Sequence, residues 1–462
     1  MAVASLLLLS FLLLFASISS NSVTAARRLV GTADGSESWG YVEVRPKAHM
    51  FWWLYRSPNR VDNGSTPWPT VLWLQGGPGA SGVGIGNFQE VGPLDTDLKP
   101  RNSTWLQKVD LLFVDNPVGT GYSFVEDNTL FVKTDEEAAA DLTALLIALY
   151  NKNTALQKSP LFLVAESYGG KYAVTLGLSI VKAVKSGELN LKFGGIACGN
   201  SWISAEDFVF AWGPLLRDVS RLDSNGEAKS NSLAEKIKQQ IANGQYEDAT
   251  NTWSQLEDAI LTNSNNVDFY NFLLDSADDP VSATTLMSSD TIRMRKYARY
   301  LSSKASSSTG SVDDLMNGMI RKKLGIIPKD VSWGGQSDQV FTALAGDFMK
   351  PRIDEVDQLL SLGVNVTIYS GQLDLICATK GTEAWVEKLK WAGLPNFMKL
   401  ERTPLYCETD GSTKGFVRSY QNFHFYWILG AGHFVPVDNS CLALKMLGEI
   451  TQSPATPASS SS

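Results

Sequence analysis

Ser167 stands in the run Ala165-Glu166-Ser167-Tyr168-Gly169-Gly170, directly after an apolar stretch at residues 161–164 and before a helix-like segment from Lys171 onward. A serine on so sharp a strand-to-helix turn is a nucleophile elbow. The turn lifts the hydroxyl above the sheet edge, within reach of a base, and small residues two before and two after it let strand and helix pack closely. Ala165 and Gly169 fill those positions, with Ala in place of the usual Gly. A serine that merely caps a helix start asks nothing of the rest of the chain. A nucleophile asks for a histidine base and a carboxylate to hold that base.

The chain has three histidines, which makes the demand testable. His49 precedes the central sheet, and His424 lies inside the apolar run 423–429 and reads as a satisfied strand residue. His433 sits in Gly430-Ala431-Gly432-His433-Phe434-Val435-Pro436, a glycine-rich loop just past a strand end. Such loops carry catalytic groups because glycine lets the backbone swing a side chain inward. The acid belongs between serine and histidine in chain order. Ser370-Gly371-Gln372-Leu373-Asp374 supplies Asp374 at another strand end, where the alternative is an ordinary turn residue. An oxyanion hole is needed as well. Its donors are expected to be the Tyr168 amide, next after the nucleophile, and the Gly77 amide in the loop Gln75-Gly76-Gly77-Pro78-Gly79. No Lys followed by Ser or Thr occurs there, so the loop is not a phosphate-binding P-loop; a plain glycine-rich turn is the other reading.

Positioning these groups takes a particular order of elements. Strands are expected at residues 40–45, 50–55, 71–74, 111–114, 161–164 and 193–198, with a helix at 135–150. Strands alternating with helices argue for a doubly wound sheet, parallel or mixed. The rhythm breaks after Asn200. Leu233, Ile237 and Ile241 share a helical face, with Ser232 and Glu235 spaced as a capping box and Asn243-Gly244 as a stop. Tyr246, Trp253, Leu256 and Ile260 mark a second helix, and residues 302–311 form a serine-rich loop. The βα rhythm resumes with a strand at 364–369, a helix near 383–391, a strand at 423–429 and a helix at 441–450. The expected organisation is a core in two parts, residues 27–200 and 329–451, around a helical cap insertion at 201–328. The Ser/Pro/Ala-rich tail at 452–462 is expected to be disordered.

At 462 residues and 44% hydrophobic composition the chain can bury one large α/β core with insertions. Its net charge is −8, with no basic run, so nucleic acid is not an expected partner. Residues 1–26 read as a signal peptide: an apolar stretch at 6–15, then small residues with Thr24-Ala25-Ala26 before Arg27-Arg28. That stretch is short for a membrane span, and no later segment is long enough for one. Asn63, Asn102 and Asn365 each open an Asn-x-Ser/Thr triplet and are candidate glycosylation sites. The four cysteines, Cys198, Cys377, Cys407 and Cys441, permit two disulfides in any of three pairings. Buried free thiols are the alternative, notably for Cys198 on its strand. No Cys-x-x-Cys occurs, and neither a metal nor an organic cofactor is implied. The expected location is the secretory pathway, extracellular or vacuolar/lysosomal.

The chain resembles the serine carboxypeptidases of the α/β-hydrolase fold. The resemblance rests on Leu72-Trp73-Leu74-Gln75-Gly76-Gly77-Pro78-Gly79, Gly86-Asn87-Phe88-Gln89-Glu90-Val91-Gly92-Pro93, residues 115–123, Glu166-Ser167-Tyr168-Gly169-Gly170, Tyr369-Ser370-Gly371-Gln372-Leu373-Asp374 and residues 430–436, in family order. Within that family it is most similar to the retinoid-inducible and plant serine carboxypeptidase-like subgroup, as residues 48–55 and Asn200-Ser201-Trp202-Ile203-Ser204 support. The resemblance implies a mixed, mostly parallel sheet flanked by helices, and release of C-terminal residues from peptides through Ser167, His433 and Asp374. It also implies that Gln75, Glu90 and Glu166 grip the substrate's terminal carboxylate. Two ionised carboxyls ~4 Å apart would repel by roughly 4 kcal/mol at an effective dielectric of 20. The pair is therefore expected to share a proton, to donate it to the substrate carboxylate, and to favour acidic pH.

The chain departs from the family pattern at several positions. Gln75 replaces the usual Asn, Ala80 the usual Cys, and Phe434 the usual Met after the histidine. Other expectations on the same fold are an acyltransferase using the same triad and a catalytically silent secreted binding protein. The acyltransferase branch tends to carry Asp where this chain has Glu166, which favours the peptidase.

Overall fold

The computed structural model describes residues 30–61, 67–275, 312–407 and 411–453. The expected signal peptide, Asn63, the serine-rich loop at 302–311 and tail residues 454–462 lie outside the described residues.

Twelve strands form one sheet: β1 (Val30–Gly31), β2 (Glu37–Arg45), β3 (Ala48–Tyr55), β4 (Thr70–Leu74), β5 (Asp110–Val114), β6 (Phe124–Val125), β7 (Leu161–Glu166), β8 (Phe193–Gly199), β9 (Val366–Gly371), β10 (Thr403–Tyr406), β11 (Thr413–Tyr420) and β12 (Phe423–Ile428). Their order across the sheet is β1-β2-β3-β5-β4-β7-β8-β9-β12-β11-β10, with β6 paired to β3. The six strands from β5 to β12 run parallel. Antiparallel ribbons close both edges. The sheet is mixed, as the sequence led one to expect, with its parallel strands at the centre.

Parallel central strands must be apolar on both faces, because helices cover both. In β4, Leu72 and Leu74 join the core under helices α1 (Asp135–Tyr150) and α3 (Gly169–Ser186), while Val71 and Trp73 join the core on the opposite face. The short helix α2 (Thr154–Lys158) lies between them in the chain. Thr134 caps α1 by accepting from the Glu137 amide, and Gly187 in the left-handed region stops α3.

Beyond β8 come α4 (Ala205–Asp218), α5 (Ser224–Ala242) and α6 (Tyr246–Ser264), which pack on one another in sequence. The Ser232–Glu235 capping box is not formed. Asp223 caps α5 nine residues earlier by accepting from the Gly226 amide, so Ser232 and Glu235 are interior to the helix. The helix placed near 383–391 instead spans Thr379–Val386. Asp357 accepts from the amides of Lys390 and Trp391 and holds that stretch out of helical form. His49 does not precede the sheet; it lies within β3, 2.9 Å from Glu126 and stacked on Phe124. Strands β10 and β11 were not anticipated. Cys407 and Cys441 form a disulfide that ties the end of β10 to the helix Ser440–Thr451. Cys198 and Cys377 are buried free thiols. No helix of the described residues is long and apolar enough to cross a membrane.

Candidate active site

The expected triad comes to one edge of the sheet, together with the residues expected to bind the substrate carboxylate. Gln75 follows β4, Glu166 ends β7 and Ser167 follows it, Asp374 comes shortly after β9, and His433 follows β12. Carboxyl ends of parallel strands are where open α/β sheets place their reactive groups.

Ser167 has φ 61°, a left-handed backbone uncommon for a residue with a side chain. Its amide donates to the Gly199 carbonyl at 3.0 Å and its carbonyl accepts from the Trp202 amide at 3.0 Å, so the strained turn is braced from β8. The Gln75–Gly79 loop presses directly on it. A methyl group at Gly76 would lie 2.5 Å from the Ser167 Cβ and 2.8 Å from the Tyr168 amide nitrogen, so only glycine fits. Of the expected oxyanion donors, Tyr168 is at the N-cap of α3, among the helix's first amides, and Gly77 follows Gly76 in the loop that presses on it.

His433 and Asp374 meet directly. The imidazole Nδ1 is 2.9 Å from Asp374 Oδ2, with both side chains fully buried. A carboxylate acceptor fixes the proton on Nδ1 and leaves Nε2 as the basic nitrogen. The two loops interlock: Leu373 N–H donates to the Ala431 carbonyl at 2.7 Å and Gln372 N–H to the Ile428 carbonyl at 2.9 Å. The Tyr270 carbonyl accepts from His433 N–H at 2.8 Å, and the Tyr270 ring packs against both His433 and Phe434. His424 lies away from this centre, on β12, hydrogen-bonded to Ser419 at 2.8 Å. It is a strand residue, as expected.

Asn200 belongs to the site although sequence reasoning gave it no role. Its amide nitrogen donates to Asp374 Oδ2 at 2.5 Å and to the Gly432 carbonyl at 3.4 Å, and its oxygen accepts from Gly371 N–H at 3.1 Å. One side chain thus ties β8, β9 and the histidine loop together. The available signal was position: Asn200 follows a strand end as the triad members do. Cys377 is also close, its sulfur within 4.8 Å of ligand atoms of Asp374 and His433. Burial pushes that thiol well above its ordinary range, so it is present as neutral S–H.

Gln75, Glu90 and Glu166 form a second cluster. Trp73 Nε1 donates to the Gln75 oxygen at 2.6 Å, which turns the amide nitrogen toward the carboxyls. That nitrogen donates to Glu90 Oε1 at 3.0 Å and to Glu166 Oε1 at 2.9 Å. Glu90 arrives on a wide-wound π-type helix, Gly82–Val91. A methyl at Gly86 would strike the Trp73 indole nitrogen at 2.3 Å, so glycine lets this helix lie against the cluster. Burial pushes the Glu90 carboxyl above its ordinary range, against the opposing pull of its hydrogen bonds to Glu166 and Gln75 and of nearby His433 and Arg101. Ala80, where the family's customary cysteine would stand, packs with Ile85 and Phe434. A cleft of about 1220 Å³ opens elsewhere, near Thr70, Tyr150 and Leu156, and no residue of either cluster lines it.

Of the glycosylation candidates, Asn102 and Asn365 are both exposed, and Asn365 donates from its amide to the Gly194 carbonyl at 3.3 Å.

Residues 29–453 match the family model described as serine carboxypeptidase. The chain is 67% identical over 430 residues to serine carboxypeptidase-like 51 of Arabidopsis thaliana, covering 91% of this chain and 93% of that protein. It is 47% identical over 451 residues to the retinoid-inducible serine carboxypeptidase of Mus musculus, covering 97% of each. Its structure matches a prohormone-processing carboxypeptidase of Saccharomyces cerevisiae with a TM-score of 0.72 at 22% identity, over 90% of this chain and 91% of that one, which supports the α/β-hydrolase fold. The chain belongs to the serine carboxypeptidase family and is a serine-type carboxypeptidase.

Proposed function

We infer that this enzyme removes the last residue of a peptide through an acyl-enzyme on Ser167. His433 Nε2 takes the Ser167 proton as the oxygen attacks the carbonyl of the terminal peptide bond. The negative charge that forms on the carbonyl oxygen is met by the Gly77 and Tyr168 amides. His433 returns the proton to the departing amino group, and water then releases the acyl chain by the same steps. Asp374 orients the imidazole and offsets its positive charge, and Asn200 holds Asp374.

The observation that carries the exopeptidase reading is the amide of Gln75 bonded at once to two buried carboxyls, one of them on the residue before Ser167. Two such carboxyls are stable together when a proton is shared, and that proton can be donated to a substrate carboxylate. Glu90, held above its ordinary range by burial, is suited to carry it. Substrate binding then weakens as pH rises and the proton leaves, so activity is favoured at acidic pH. The leader at residues 1–26 and the exposed Asn102 support passage through the secretory pathway.

The test pairs one peptide with a free and with an amidated C-terminus. Only the free form is expected to be cleaved efficiently, and equal cleavage of both would overturn the reading. Ser167→Ala is expected to abolish labelling by a fluorophosphonate; persistent labelling would remove Ser167 from its role. Acyl-glucose esters in the same assay separate peptidase from acyltransferase activity, and active-site titration separates both from a silent binding protein.

A further inference from the structure

Tyr168 has a second half that the mechanism does not use. Its amide is the expected oxyanion donor, while its side chain is 1% exposed. The hydroxyl donates to Asp135 Oδ1 at 2.8 Å. The ring lies parallel to Phe348 with centroids 5.6 Å apart, meets Tyr172 edge-on at 5.1 Å, and has the Lys171 ammonium 4.6 Å from its centre.

Behind the ring is a buried cluster of charge. Asp135 Oδ2 accepts from Arg352 at 2.8 Å and lies 3.4 Å from Lys171 Nζ. Asp347 Oδ2 accepts from the Asp135 amide at 2.9 Å and from Arg352 at 2.7 Å. Lys171 donates to the carbonyls of Asp347 at 2.5 Å and Phe348 at 3.2 Å. Two carboxylates thus balance two cations, with Glu136 and Glu355 on the outer side of Arg352. Burying ions costs several kcal/mol each, and well-packed apolar residues often stabilise a fold as well. Overall stability is therefore a weak reason for this arrangement. What it supplies is direction: fixed hydrogen bonds that hold one aromatic ring in one place. The Phe348 carbonyl also accepts from Trp202 Nε1 at 3.2 Å, and the Trp202 amide donates to the Ser167 carbonyl at 3.0 Å. The same cluster therefore reaches the nucleophile residue from a second side.

We propose that the Tyr168 side chain, anchored by the Asp135–Lys171–Asp347–Arg352 cluster, is the positioning residue that aims the Tyr168 amide into the oxyanion hole. A donor of this kind works only at about 2.7–3.1 Å from where the oxyanion forms. The elbow's backbone is strained at Ser167, so the peptide unit joining Ser167 to Tyr168 needs an external constraint against relaxing. The ring, clamped on several sides, provides it. The inference rests on the reading of Tyr168 as an oxyanion donor.

Tyr168→Phe tests it, because the ring stays and only the bond to Asp135 goes. The expected result is a fall in kcat of about tenfold, part of the ~10²–10³ typical for losing a whole donor, with KM within about twofold. Affinity for a peptide aldehyde, which forms an oxyanion on Ser167, should fall by the same factor as kcat/KM. Affinity for the free amino-acid product, held by Gln75, Glu90 and Glu166, should not change. An unchanged kcat overturns the proposal. So does a loss spread equally over product binding, aldehyde binding and melting temperature, which is what a purely structural cluster gives. Should Tyr168→Phe not fold, Phe348→Leu removes the stacked ring and is read by the same criteria. Ser167→Ala in parallel keeps the two readings apart. Labelling that survives in it refutes the mechanism itself, whereas labelling lost there with full activity in Tyr168→Phe refutes only the positioning role.

Discussion

Replacing Glu90 by glutamine should change how activity depends on pH more than it changes activity itself. Glu90 and Glu166 accept from one nitrogen at 3.0 and 2.9 Å, so those two oxygens lie within about 6 Å of each other. Two full charges no more than ~6 Å apart cost at least about 3 kcal/mol at an effective dielectric of 20, about two pKa units or more. Burial acts in the same direction on Glu90. The sign follows from which form binds. On the proposed function the protonated pair grips the substrate carboxylate, so binding is complete at low pH and is lost as pH rises through the raised value, by at most about tenfold per pH unit. A glutamine at position 90 donates from its amide at every pH. At pH 5 the variant should be slower by about three- to tenfold, because a neutral amide binds a carboxylate less strongly than a carboxylic acid does. Between pH 5 and pH 8 its kcat/KM, relative to that of the unaltered enzyme, should then rise by at least about tenfold. The assay is kcat/KM for an N-blocked dipeptide at unit pH steps, with KM carrying the change. Parallel profiles for both proteins would refute the shared proton, as would turnover of the unaltered enzyme that rises from pH 5 to pH 8.

Three other outcomes are expected. Asn200→Ala leaves Asp374 without a charge-assisted bond worth about 1.5–3 kcal/mol, so kcat should fall by roughly 10–150-fold with KM nearly constant; a loss confined to KM would contradict this. Asp115 is buried and pushed up to about 6 from 3.8, so its contribution to stability is full at low pH and is lost as pH rises through about 6. Urea unfolding should therefore show Asp115→Asn to be more destabilising at pH 4 than at pH 7, by about 2 kcal/mol; a pH-independent difference would contradict this. Replacing Cys407 and Cys441 by serine opens a loop with sequence separation 34 and should lower stability by about 4 kcal/mol. Activity at 25 °C should survive that change, and its loss would place the bond in the active site's support.

The central sheet was legible because its strands are short, continuous apolar runs ending in Gly, Asp or Asn. The runs around Leu72, Leu112, Leu163 and Ile368 need burial on both faces and have no other way to obtain it. The site was legible for a related reason, since its residues follow strand ends, where glycines mark sharp turns. What escaped notice depends on partners remote in sequence. The first turns of α5 carry little apolar periodicity, and Asp223 starts the helix through a cap rather than through a hydrophobic face. Strand β11 mixes Lys414, Gly415 and Arg418 into its alternation and sits near the sheet's edge, where one-sided burial weakens the signal. The helix end at Val386 is decided by Asp357, which no local pattern reveals. Asn200 was read as part of a run that supports the family resemblance and not as the partner of an acid 174 residues away.

Glu166 and Ser167 are consecutive residues, one ending a rigid strand and the other beginning the turn. On the proposed function, the group that feels for the end of a chain and the group that cuts it are therefore joined by a single peptide unit. Neither can drift relative to the other without breaking the strand. On that reading the enzyme's own backbone is the ruler that sets the cut one residue inward.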